Sequence, residues 1–355
     1  MIIWREGIVA EVGASWPGAQ ELVVTIDQVP VRALAYPELV GDPRPGDRVL
    51  VTTAALQRGL GTGGYGFVVA LPDRLPADPP PAPGHLVKAR YTPLQTLVLG
   101  ADEQESEQHD LLRDADDLGG LPVVVADLHS ALPAVVAGVR SRRPGARVVY
   151  VMTDGGALPL WFSRAVAGLR EAGWLHASVT VGQAFGGDVE AVSLHSGLLA
   201  ARLVLEADVV VVAQGPGNLG TGTRWGFSGV AAGDAINAVA TLGGRPVASL
   251  RVSAADPRER HRGISHHSLT AYGRVALARA DVVVPELGGD LGALVESQAE
   301  ALGERHTLVS TAVDGLAEAL RGSPVPLSTM GRGLAEDPTP FLAAAAAGAY
   351  AASLA

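Results

Sequence analysis

The residues of this sequence best suited to chemistry sit in short polar segments, each following an apolar run. Asp127, His129 and Ser130 come first, then Thr153-Asp154-Gly155-Gly156, then Gln183 to Asp188. Gln214 follows with a glycine-rich stretch from Gly215 to Arg224. Last come Arg251 and Ser253, ahead of a segment carrying Arg258, Glu259, Arg260, His261, Arg262, His266 and His267. An imidazole gives and takes a proton near neutral pH, so His129 and His266 are the candidate general acid or base. Asp154 is their base partner or a metal ligand. Together, His129, His261, His266 and His267 with Asp127, Asp154 and Asp188 hold the donor types of a metal site or an acid–base set. The carboxylates Asp127, Asp154 and Asp188 suit a hard divalent ion such as magnesium, and the cofactor is otherwise open. Taken singly, Asp188 and Ser130 also suit helix N-caps. There is no H-E-x-x-H spacing, no G-x-S-x-G elbow and no Walker A motif.

Two further segments favour an anion. Six glycines lie between Gly215 and Gly229, and each concedes roughly 0.4–1 kcal/mol of unfolded-state entropy. Such a loop makes sense where backbone approaches a ligand or takes positive φ. Successive N–H groups there would form an anion nest from Gly215, Gly217, Asn218, Gly220, Thr221 and Gly222, with Arg224 beside it. A tight loop packing on itself is the plainer alternative. The stretch from Arg251 to Arg262 holds four arginines against Asp256 and Glu259. Like charges 4 Å apart repel by ~4 kcal/mol near a protein surface. Arg258, Arg260 and Arg262 therefore read as a fork-shaped clamp for phosphate or carboxylate, with His267 beside them, or else as a solvated loop. Gly215, Gly217 and Gly220 also spell G-x-G-x-x-G, which raises a dinucleotide-binding oxidoreductase as an alternative. The same spacing recurs at Gly59, Gly61 and Gly64 in β-rich sequence, and no acidic residue closes the next strand, so the motif discriminates little.

The apolar runs before these segments are the elements that must position them. Pro122–Ala126, Arg147–Met152, Ser178–Val181, Asp208–Ala213, Pro246–Val252, Asp281–Val284 and Thr307–Val309 are predicted strands. Val209-Val210-Val211-Val212 shows no alternation, so both of its faces should be buried. Helical stretches such as Trp161–Ala172 and Leu198–Glu206 intervene, and the Ala-rich tail from Phe341 reads as a terminal helix. Strand alternating with helix predicts a doubly wound, mostly parallel α/β sheet whose ligands collect at the carboxyl ends of the strands. Residues 1–71 read differently. Gly7–Val12, Glu21–Ile26, Val29–Leu34, Arg48–Thr52 and Gly66–Leu71 predict a small β-barrel of the OB or SH3-like kind. Residues 72–84 carry six prolines and read as a linker, leaving 85–355 as the α/β ligand-binding domain.

Composition narrows the function. The net charge is −10 and the barrel segment is not basic, which disfavours a nucleic-acid partner. Zero cysteine removes disulfides, thiolate nucleophiles and Cys-type zinc sites. No signal peptide or membrane-length apolar run is visible, so a cytoplasmic protein with no membrane partner is expected. The leading expectation is an enzyme acting on a small anionic metabolite, a class that includes phosphorylated ones. The rival is a non-catalytic ligand sensor whose barrel contacts a partner, and a homo-oligomer is compatible with both.

The chain resembles the bacterial domain of unknown function family numbered 3866 over nearly its whole length. The resemblance rests on Gly59–Tyr65, Gly84–Pro93, Met152–Pro159, Ala184–Asp188, the Gly215–Gly229 loop, Arg260–His267 and Thr329–Gly333. It implies a bacterial cytoplasmic protein and supplies no activity or cofactor. It does add Lys88, in the segment Lys88–Tyr91, and Thr329–Gly333 as candidate neighbours of the site.

Overall fold

The computed structural model describes every residue except 61 and 62, so the Gly59-Gly61-Gly64 spacing lies partly outside the described residues. Two compact units result: residues 1–83 with 87–97, and residues 84–86 with 98–355. In the first, β1 (Trp4–Trp16), β2 (Ala19–Ile26), β3 (Val29–Ala35), β4 (Arg48–Thr52) and β5 (Gly66–Ala70) close a barrel in the order β1-β2-β3-β5-β4. Only the β3–β5 pair is parallel, which is the OB arrangement. Alternation drives it: Leu22, Val24 and Ile26 point inward on β2, and Val49 and Val51 meet them from β4.

The second unit is built on eight parallel strands: β6 (Pro122–Val125), β7 (Val148–Thr153), β8 (Ala177–Thr180), β9 (Val189–Glu190), β10 (Val209–Gln214), β11 (Arg245–Ser249), β12 (Asp281–Glu286) and β13 (Thr307–Ala312). Their order is β9-β8-β7-β10-β6-β11-β12-β13. All six residues of β10 are buried, as a run without alternation requires.

Helices α1 (Leu132–Arg142), α2 (Arg164–Glu171), α3 (Leu194–Leu203), α4 (Ala232–Thr241) and α5 (Gly289–Gly303) supply the crossovers, and α6 (Thr339–Leu354) ends the chain. Two apolar clusters sort them by face. One holds α3, α4 and α5, the other α1, α2 and α6. Crossovers running one way along the sheet thus share a face, as a uniform right-handed connection demands. At the neighbouring strands β6 and β10 the chain departs to opposite faces, through α1 and α4. That divergence opens a crevice at the carboxyl edge. Among the described residues no helix is long and apolar enough to cross a membrane.

Some sequence expectations shift. The strand predicted to Val252 ends at Ser249, and Val252-Ser253 pairs instead, antiparallel, with Gly263-Ile264. Neither Ser130 nor Asp188 caps a helix. Ser163, at the start of α2, accepts the Val166 N–H, and Ser193, at the start of α3, forms a reciprocal box with Ser196.

Candidate functional site

Two recesses collect the polar segments. The first lies in the β6/β10 crevice, about 270 Å³, walled by His129, Ser130, Gln214, Gly217, Asn218 and Thr329 among others. The second is an open cleft of about 690 Å³ that includes Gly222, Arg224, Arg260, His266, Arg274 and Gln298.

The crevice is held by backbone crossing backbone. A Cβ on Gly156 would land on the Gly215 carbonyl, and one on Gly215 would come within 2.5 Å of the Ala157 carbonyl. Ala157 N–H donates to Pro216 O at 2.7 Å. Gly156→Ala should therefore cost about 1–3 kcal/mol, since neither partner is a movable side chain. Urea unfolding at constant m checks this, and an unchanged midpoint would refute the crossing.

His129 lies on the crevice wall, yet its ring is spoken for. Nδ1 meets the Tyr150 hydroxyl at 3.0 Å and Nε2 meets Ser163 Oγ at 2.7 Å. Tyr150 OH donates to the Gln214 carbonyl at 3.0 Å, so it must accept from His129 Nδ1–H, and Ser163 donates to Nε2. Burial pushes the ring down to about 4. A neutral imidazole with both nitrogens engaged inside the protein is poorly placed to exchange a proton with a substrate, which weighs against its assignment as general acid or base.

The three aspartates do not assemble. Asp154 is exposed and accepts the Gln183 N–H at 2.8 Å, clasping the loop after β8, and it lines neither recess. Asp188 accepts from the Ser178 N–H and hydroxyl and pairs with Arg170 at 2.9 Å. Asp127 is buried beneath the crevice, with Oδ2 lacking a hydrogen bond. Burial raises its carboxyl, opposed by nearby Arg251. The magnesium reading loses its shared ligand set.

The glycine loop is mostly explained by its own packing. Gly217 and Gly222 take positive φ, while Gly215, Gly226 and Gly229 each have a close neighbour where a side chain would stand. Asn218 Oδ1 ties the loop by accepting from Gln214 Nε2 and Ser228 Oγ. The helix α4 begins only at Ala232, so the G-x-G-x-x-G glycines do not open a helix as a dinucleotide site requires. The loop tip is different. Among the described residues, the N–H groups of Gly222, Thr223 and Arg224 make no internal hydrogen bond. A Cβ at Gly222 would stand 3.9 Å from Arg260 Nη2, so the glycine and arginine segments meet there.

Of the predicted clamp, Arg258 is consumed by Asp256 through two hydrogen bonds of 2.9 and 2.8 Å, which hold the Asp256 carboxyl well below its usual range. Arg262 is exposed and lines neither recess. Arg224 and Arg260 remain, joined by Arg274, which sequence reasoning missed. It comes from a π-helical turn, Ala271–Val275, that has no sequence signature. Among the described residues none of these three makes an ion pair. Lys88 is buried in the first unit, off the sheet that carries the other candidates.

Behind the cleft, His261, His266 and His267 pack on one another, and Phe227 stacks flat on His267 at 3.8 Å. Burial first, then Arg251 and Arg258, push His261 down to about 4. Burial, Arg251 and the neighbouring histidines push His267 down to about 3, and His266 is lowered by burial and Arg260. The signal for this trio was present only as residue type.

The family described as "Protein of unknown function (DUF3866)" matches residues 32–348. No curated protein matches the chain.

Proposed function

We propose that this chain, which belongs to the DUF3866 family, is an enzyme that takes a small anionic metabolite in the cleft between the glycine-loop tip and Arg260. The observation that carries the reading is one juxtaposition. Three successive unspent N–H groups run through 222–224, Gly222 stands beside Arg260, and Arg224 and Arg274 line the same cleft. Gathering three unpaired guanidiniums costs repulsion that a bound phosphate or carboxylate would relieve. Backbone N–H groups and guanidiniums both donate and cannot accept, so the complementary ligand is an oxyanion. His266 also lines this cleft.

Inorganic phosphate, pyrophosphate, nucleotides and sugar phosphates, each with and without magnesium, form the test panel. A ligand at 100 times its Kd adds about 2.7 kcal/mol to stability, enough for a clear rise in Tm. Arg260→Gln should weaken the best ligand by about tenfold to a hundredfold, since charge-assisted bonds contribute roughly 1.5–3 kcal/mol. No stabilisation by any member of the panel would discard the anion reading. A ligand bound but never converted by the wild type would favour the sensor over the enzyme.

A further inference from the structure

We infer that His261, His266 and His267 form a binding site for one borderline first-row divalent ion of the zinc class. Among the described residues this is the only group of three or more such side chains whose ligand atoms all lie within 4.8 Å of one another. The ring spacings support it. Centroids stand 4.9, 5.0 and 4.3 Å apart. Three imidazoles on one ion, with metal–nitrogen bonds of ~2.0–2.1 Å, would place their centroids about 4.5–5.2 Å apart, so two of the three spacings match and His266 and His267 must part slightly on binding.

The free positions also fit. His266 Nε2 is buried and has no hydrogen-bond partner, an orphan that a metal bond would satisfy. His261 engages only Nδ1, with Ser265 Oγ at 2.7 Å, which leaves Nε2 to ligate and gives the ring the outer-sphere support usual for metal-bound histidine. Ser265 Oγ also accepts the His267 N–H, so one hydroxyl orients two of the three residues. Nitrogen donors select zinc, cobalt or iron over magnesium, and three protein ligands leave a coordination position open.

One contact opposes the ion. Arg251 Nη1 donates to His267 Nδ1 at 3.2 Å. Ligation through either nitrogen of His267 requires that donor to leave, and Asp127, which lines the same small void as Arg251, can receive it. The surrounding guanidiniums favour an anionic fourth ligand on the metal, but the site itself does not depend on the anion reading.

The test uses the full chain, stripped with chelator and titrated with Co2+ in phosphate-free buffer, with Zn2+ as competitor. One equivalent of Co2+ should bind with visible d–d absorption, and Zn2+ should displace it. His261→Gln and His266→Gln should each weaken binding by about tenfold or more. Exposed His195→Gln should leave it unchanged. Circular dichroism confirms that each variant is folded. Should one unfold, Co2+ protection of the wild-type histidines from diethylpyrocarbonate gives the second reading. No saturable binding, binding indifferent to both substitutions, or no protection would overturn the site. Phosphate enters no arm of this experiment, so its failure and that of the anion reading are distinguishable.

Discussion

Gly138→Ala should destabilise the α/β unit by about 2 kcal/mol, although alanine is the better helix former by roughly 0.8–1 kcal/mol. The reason is the contact between α1 and α6. A Cβ on Gly138 would fall on the Ala345 carbonyl, and one on Gly348 would fall on the Val135 carbonyl. The two glycines form a reciprocal pair where backbone meets backbone, flanked by buried Ala134, Ala344 and Ala346. Overpacking costs about 1–3 kcal/mol when side chains can move, and here a whole helix must shift, so the upper end applies before the propensity gain is subtracted. Once either substitution has parted the helices, the second meets a wider gap. Gly138→Ala with Gly348→Ala should therefore cost less than the sum of the two singles. Urea midpoints at unchanged m measure all three variants. Stabilisation by Gly138→Ala would mean that propensity wins and that the close approach is not there.

That contact also shows where sequence stops being informative. The Ala-rich tail reads as a helix, but nothing in residues 339–354 says which helix it lies against. The parallel sheet was legible because a run such as Val209–Val212 permits few other burials. Strand β9, only Val189–Glu190, carries too little apolar character to register, and Val252 was joined to the parallel strand although it belongs to a separate short one paired with Ile264. At the site, segments were legible and meetings between side chains were not. Arg258 looked like a clamp although Asp256, two residues earlier, is well spaced to claim it. His129 looked catalytic because nothing local announces Tyr150 and Ser163, 21 and 34 residues further on. The glycines looked ligand-directed because the steric demands of Ala157, Thr221 and Asp127 on that loop exist only in three dimensions. The histidine trio has no period to betray it, since its ring spacing comes from a turn and a helix start rather than from one element.

Acid should expose His129 as a structural group. In the fold its ring is held down to about 4 by burial, against an ordinary value of 6.5. The groups facing it are the Tyr150 and Ser163 hydroxyls and the Gln214 carbonyl, none of them charged. A depressed folded value means that the unfolded chain binds the proton first. The contribution is therefore whole above pH 6.5 and disappears as pH falls toward about 4. Between about pH 7.5 and about pH 5 the protein should lose roughly 1–2 kcal/mol through this residue alone. His261, His266, His267 and His306, also lowered mainly by burial, act in the same direction, so the wild-type slope by itself does not isolate His129. His129→Gln does, because the amide offers a donor and an acceptor but cannot titrate. In chelated buffer the variant should start less stable at neutral pH and then fall less on acidification than the wild type. Equal losses in the two proteins would show that the imidazole is not buried as a neutral group, and would return His129 to the candidates for proton transfer in the β6/β10 crevice.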